Sequence, residues 1–195
     1  VAKSWDYHVR VALETSPEEN LASIRDSVRA AKAKGREVLL DCEHFFDGYK
    51  ADPRFALACA KAAYDEGARW VVLCDTNGGA LPHEVSAILR EVKAVVRAET
   101  PLGIHVHNDT ECAVANTLAA VAEGVGHVQG TINGYGERTG NADLLTVVSN
   151  LQLKQGRELV PQERLREATR IAHAISEVTN VPPYSRQPYV GASAF

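Results

Sequence analysis

Four short apolar runs recur along the chain, and each ends in polar residues. They are Glu37-Val38-Leu39-Leu40-Asp41, Trp70-Val71-Val72-Leu73-Cys74-Asp75, Leu102-Gly103-Ile104-His105-Val106-His107 and His127-Val128-Gln129-Gly130-Thr131-Ile132. The first two are almost continuously apolar, which suits strands covered on both faces, as in a parallel sheet. Their polar ends fall at Asp41, Asp75, His107 and Asn133, so the steps are 34, 32 and 26 residues. Each step is about the length of one strand-helix unit.

Helical patterns fill the gaps. Ser16-Pro17-Glu18-Glu19 reads as an N-cap, a proline at the first helical position and a capping-box glutamate. Leu21, Ile24, Val28 and Ala31 keep helical spacing after it, and Gly35 ends the helix. A second helix opens at Asp52-Pro53 and runs to Gly67. A third opens at Pro82, with Val85, Ile88, Leu89, Val92 and Val96 on one face. A fourth, capped by Asp109 or Thr110, runs through Val114, Leu118 and Val121 to Gly124. A fifth runs from about Asn141 to Lys154, and a sixth from about Gln162 to Thr179. The predicted order is one helix, four strand-helix units and one helix. An open dinucleotide-binding sheet is disfavoured, because Gly134-x-Gly136-x-x-x-Gly140 has the wrong spacing for that fingerprint. The prediction is an α/β fold: half of a (β/α)8 barrel over residues 1–156, then a helical subdomain or linker over 157–195.

Composition narrows the function classes. The 195 residues are 45% hydrophobic and 24% charged, with a net charge of −4. Bulk charge therefore draws the chain neither to nucleic acid nor to an anionic membrane. No run approaches the roughly 20 apolar residues of a membrane span, and the start has no apolar core of a signal peptide. Four cysteines, at 42, 59, 74 and 112, form no C-x-x-C pair, which points to a reducing cytoplasm. Methionine is absent even at position 1, so the expectation is a piece of a longer polypeptide.

The chemistry gathers at the strand ends, which in parallel barrels open into the site. His105 and His107 are two apart on a strand, so both imidazoles face one way and form a two-point ligand set for a divalent metal. The alternative is a hydrogen-bonded pair of rim histidines; the following Asn108-Asp109 favours the metal. Asn141 offers an amide oxygen to a metal or a cap to the next helix. Thr76 is placed either to donate to a substrate carboxylate or to close an ordinary turn. Glu43 reads equally as a base, a carboxylate behind the substrate contacts or a rim ion pair. Between Gly134 and Asn141 lies a loop whose glycines allow close approach to a ligand and whose polar residues include Glu137 and Arg138.

His105-Val106-His107-Asn108-Asp109, Ala113-Val114-Ala115-Asn116-Thr117-Leu118 and Gly130 to Asn141 together resemble the metal-dependent acetyl-CoA condensing barrels. That family holds isopropylmalate, homocitrate and citramalate synthases. Lys3-Ser4-Trp5-Asp6, Asp41 to Tyr49 and Cys74 to Gly79 resemble the citramalate branch. The resemblance implies the C-terminal half of a barrel, an acyltransferase that joins acetyl-CoA to an α-keto acid, most simply pyruvate, and a homodimer in the full-length enzyme. It implies a divalent cation (Mg, Mn or Zn) on His105, His107 and Asn141. Thr76 and Glu43 would act as catalytic groups at the keto acid, and Gly134, Gly136, Glu137 and Arg138 would line the substrate. A related hydroxyacyl-CoA lyase shares the histidine pair. The family's Arg-Asp-Gly motif, which supplies a further metal ligand, does not occur here, so the chain alone is expected to be inactive.

Overall fold

The computed structural model describes residues 1–96 and 101–194. Its centre is a five-stranded parallel sheet in sequential order: β1 (Ala2–Lys3), β2 (Leu39–Glu43), β3 (Trp70–Asp75), β4 (Leu102–Val106) and β5 (His127–Gln129). Sequential parallel order with a helix after each strand is the winding of a barrel, and five of the eight strands that close one are present. The helices between the strands are α1 (Asp6–Ala12), α2 (Pro17–Ala33), α3 (Phe45–Ala51), α4 (Pro53–Asp65), α5 (Pro82–Val95) and α6 (Ala113–Ala122). After β5 come a 3-10 turn (Ile132–Gly134), α7 (Leu144–Leu153), the short α8 (Gln162–Leu165) and α9 (Ala168–Thr179).

The register sorts the side chains into two faces. Lys3 pairs with Glu43, Cys74 with His105, and His105 with Gln129. Residues in register share a face, so these stand on one face, with Asp41, Val72, Gly103 and His127 two residues below. The opposite face carries Leu40, Cys42, Val71, Leu73, Ile104 and Val106, all buried with Phe45, Phe46, Val85 and Leu89 in the core under the helices. Gln129 Nε2 donates to Asp41 Oδ1 at 3.0 Å. In a flat sheet β5 would lie about 14 Å from β2, three strand spacings away. The bond therefore requires the sheet to curl, with His105 on the concave face.

Most helix boundaries obey the expected chemistry. Ser16 accepts from the Glu19 amide, and Asp52 from the amides of Arg54 and Phe55, each ahead of a proline in the first turn. Replacing Asp52 with alanine removes those acceptors. The expected cost is about 1 kcal/mol, read as a lower chemical-denaturation midpoint with an unchanged slope; an unaltered midpoint would refute the cap.

Four expectations are corrected. The sheet has a fifth strand, since Ala2–Lys3 pairs with β2 although two residues carry no periodicity. The run beginning at Glu37 becomes a strand only from Leu39 and continues to Glu43. The last helix is two, broken between Leu165 and Ala168. Neither Asp109 nor Thr110 caps α6. Asn108 Oδ1 accepts from Ala113 N at 3.1 Å, while Asp109 pairs with Arg138 and the Thr110 hydroxyl donates to Gly78 O.

Candidate metal and substrate site

β4 ends at Val106, and the chain after β5 folds back onto that end. Asn108 N donates to Gly140 O, Ala142 N donates to Val106 O, and His107 forms a bridge with Asn141. This return brings three sequence-predicted ligands together. His105 Nε2 and His107 Nε2 are 3.3 Å apart, and the Asn141 amide nitrogen is 3.2 Å from His105 Nε2. Asn141 does not cap α7. Asp143 does, accepting from Leu145 N and from the Thr146 hydroxyl. The Asn141 amide is thus free to face the histidines, and a half-turn of its terminal torsion presents the oxygen.

The far nitrogens, Nδ1 of both rings, are buried without a protein partner, and this holds alike for a hydrogen-bonded pair and for two rings turned by Nε2 toward an ion. Two nitrogens each about 2.0–2.1 Å from a tetrahedral ion lie roughly 3.3 Å apart, which matches the observed spacing. Burial, then the nearness of His105 and Arg138, pushes the His107 pKa below its ordinary value, favouring the neutral form a metal requires. The donor set of two imidazoles and an amide oxygen suits a borderline divalent cation. Among the described residues no group of three His, Cys, Asp or Glu side chains completes a site by itself.

The remaining predicted residues surround this point. The Arg138 guanidinium donates to both oxygens of Asp109, at 2.8 and 3.0 Å, and to Thr76 O at 2.6 Å. It thereby ties the loops after β3, β4 and β5 together, and it holds the Asp109 carboxyl below the usual carboxylate range. Glu137 is exposed on the same loop. Thr76 Oγ1 accepts from His44 N at 2.7 Å, which leaves its own hydrogen to donate. Glu43 lies on the His105 face, two strands away, and its carboxylate meets Lys3 Nζ at 2.6 Å. A Cβ on Gly136 would stand 1.9 Å from Asn141 Oδ1, and one on Gly140 would stand 2.0 Å from Gly134 O. These glycines are required by the loop's own packing around Asn141.

Sequence reasoning missed an aromatic cluster beside Glu43. His44, at φ +57°, packs edge-on against His8 at 4.1 Å, and His8 stacks on Trp5 at 4.7 Å. Asn77 Nδ2 donates to Asp47 Oδ2 at 2.8 Å close by. The partners come from three separate strand-end segments, so no spacing marks them.

Residues 1–175 match the HMGL-like family. The chain is 57% identical over 195 residues to an (R)-citramalate synthase of Streptomyces coelicolor, covering 100% of this chain and 36% of that protein. It is 30% identical over 199 residues to a 2-isopropylmalate synthase of Campylobacter concisus, covering 96% and 37% respectively. A crystal structure of the Bacillus subtilis HMG-CoA lyase superposes with a TM-score of 0.79 at 21% identity, over 95% of this chain and 64% of that one; this likeness bears on fold. The chain thus spans about a third of the length of the curated relatives it matches. Its curled parallel sheet is part of a TIM barrel, and the chain belongs to the HMGL-like family.

Proposed function

We propose that this chain supplies the metal-binding and keto-acid end of an active site that condenses acetyl-CoA with pyruvate to give citramalate and free CoA. The observation that carries the reading is the meeting of His105, His107 and Asn141 at the barrel mouth, in a chain more alike to a citramalate synthase than to a 2-isopropylmalate synthase. His105, His107 and the Asn141 oxygen would hold a divalent cation, with a further ligand from outside these residues. When bound, such an ion polarises a ketone as a Lewis acid. The free hydrogen of the Thr76 hydroxyl is available to the keto acid's carboxylate, while the His44 amide fixes the oxygen that bears it. Lys3 orients Glu43 on the same concave face. Arg138 does not face the substrate as a free cation. It is spent on Asp109 and Thr76 O, and its role is to keep the Thr76 turn and the Asn141 loop in register.

The full-length enzyme is proposed to be a cytoplasmic homodimer, with residues 157–195 opening a subdomain that follows the barrel. The four cysteines are free, in keeping with a reducing compartment. No helix among the described residues is long and apolar enough to cross a membrane.

The deciding assay measures thiol release from acetyl-CoA by the full-length protein with pyruvate, with 2-oxoisovalerate and with neither. Release with pyruvate is expected. Release with 2-oxoisovalerate alone would sink the citramalate assignment, and cleavage of a hydroxyacyl-CoA in place of either would favour a lyase. The isolated 195-residue chain is expected to show no turnover.

A further inference from the structure

Thr76 is held from three sides, and none of the holds uses its hydroxyl hydrogen. His44 N donates to its Oγ1 at 2.7 Å, and Arg138 donates to its main-chain oxygen at 2.6 Å. The next residue, Asn77, donates through Nδ2 to Asp47 Oδ2 at 2.8 Å. The first and third holds come from one place, the turn from β2 into α3. His44 and Asp47 lie three positions apart there, and they grip two successive residues at the end of β3.

That turn is itself fixed. β2 passes into α3 through His44 at φ +57°, a left-handed conformation that is strained for a residue with a side chain and persists only where the surroundings impose it. The surroundings do so here. The His44 imidazole is buried and lies edge-on to His8 at 4.1 Å, and His8 stacks on Trp5 at 4.7 Å. Four residues on, Gly48 leaves no room for a Cβ against Ser4 O, so α3 is pressed onto the segment after β1. Asp47 stands in the first turn of α3, whose start has no side-chain cap. An aspartate there commonly serves the helix's own free amides. This one reaches across to Asn77, which is exposed. The bond joins no core element, so what it fixes is the turn that carries Thr76.

We propose that Asp47 and Asn77 are positioning residues for the keto acid: their bond holds the Thr76 hydroxyl at the angle from which it donates to the substrate carboxylate. The inference rests on the condensation reading above. Both residues act through Thr76, since a hydroxyl free to turn donates at a poorer angle, and hydrogen bonds weaken steeply with misalignment.

The test is steady-state thiol release by the full-length enzyme, with pyruvate and acetyl-CoA varied in turn. Thr76→Val sets the scale: a hydrogen bond to a charged group is worth about tenfold or more, so the pyruvate KM should rise by that factor. Asp47→Ala and Asn77→Ala are each expected to raise the pyruvate KM at least about threefold, with the acetyl-CoA KM unchanged. Asp47→Asn, which keeps an acceptor oxygen for Asn77, should restore it. On a Thr76→Val background, Asp47→Ala and Asn77→Ala should cost nothing further, because the group they position is gone. A merely structural contact would cost the same with or without that hydroxyl. Melting curves separate folding from binding, and Asn77, being exposed, can be altered without disturbing the core. An unchanged pyruvate KM in Asn77→Ala, or a penalty that adds in full to that of Thr76→Val, overturns the inference and leaves the condensation reading standing. Absence of thiol release with any 2-oxo acid in the unaltered enzyme overturns both.

Discussion

Alanine at His107 is expected to lower divalent-metal affinity at least about 100-fold. His105 and His107 are the two imidazole donors in this site, with Nε2 atoms 3.3 Å apart, and deleting one leaves a single imidazole and an amide. Loss of a group that merely orients a ligand costs 10–100-fold, so loss of the ligand itself sets that range as a floor, roughly 2.7 kcal/mol or more of binding. Calorimetric titration of Zn or Mn into the chain and into His107→Ala measures it directly. His83→Ala, which alters an exposed histidine on α5, is the control and should bind as the unaltered chain does. The pH dependence follows from the lowered His107 value. A metal competes with protons for the ring nitrogen, so the contribution of His107 to binding should persist below the ordinary histidine pKa and be lost only as pH falls through its lowered value. Equal affinity in His107→Ala and the unaltered chain would end the metal assignment.

The meeting of His105 and His107 was legible in sequence because a strand's alternation is rigid: any H-x-H on a strand puts two rings on one side. Which side faced the lumen needed register, and the Gln129–Asp41 bond supplied the curvature that spacing cannot express. Asn141 could be read as ligand or cap but not resolved. The decision was made two residues later, by Asp143 taking the cap. Arg138 was legible as a loop residue and illegible as a strut, since its partners lie 29 and 62 positions away. β1 and α3 were missed for local reasons. A two-residue strand has no period, and α3 starts from a left-handed His44 without a side-chain cap. The cluster of Trp5, His8 and His44 was invisible for the same reason as the Arg138 link, because convergence of strand ends is a property of the wound sheet.

Alanine at Gly140 is expected to destabilise the chain by at least about 2 kcal/mol, while alanine at Gly136 should chiefly weaken metal binding. The two positions lie in one loop, yet they meet different neighbours. Gly140 sits at φ +95°, where an L side chain is strained, and its added Cβ would meet the carbonyl oxygen of Gly134 at 2.0 Å. Backbone presses on backbone there, so the loop must move or the strand return be lost. A strained backbone position alone costs about 1–3 kcal/mol, and the collision adds to it. In a chain of this size 2 kcal/mol lowers the melting temperature by roughly 4–8 °C. At Gly136 the φ is not in the left-handed region, and the Cβ would meet the amide of Asn141, with Oδ1 at 1.9 Å. A side chain can swing where a backbone cannot, so the amide leaves His105 and the fold largely survives. Melting curves and metal titrations on both variants separate the cases. A Gly136→Ala variant that binds metal as tightly as the unaltered chain would show that Asn141 is not a ligand, and would leave the two histidines to hold the ion with groups from outside these residues.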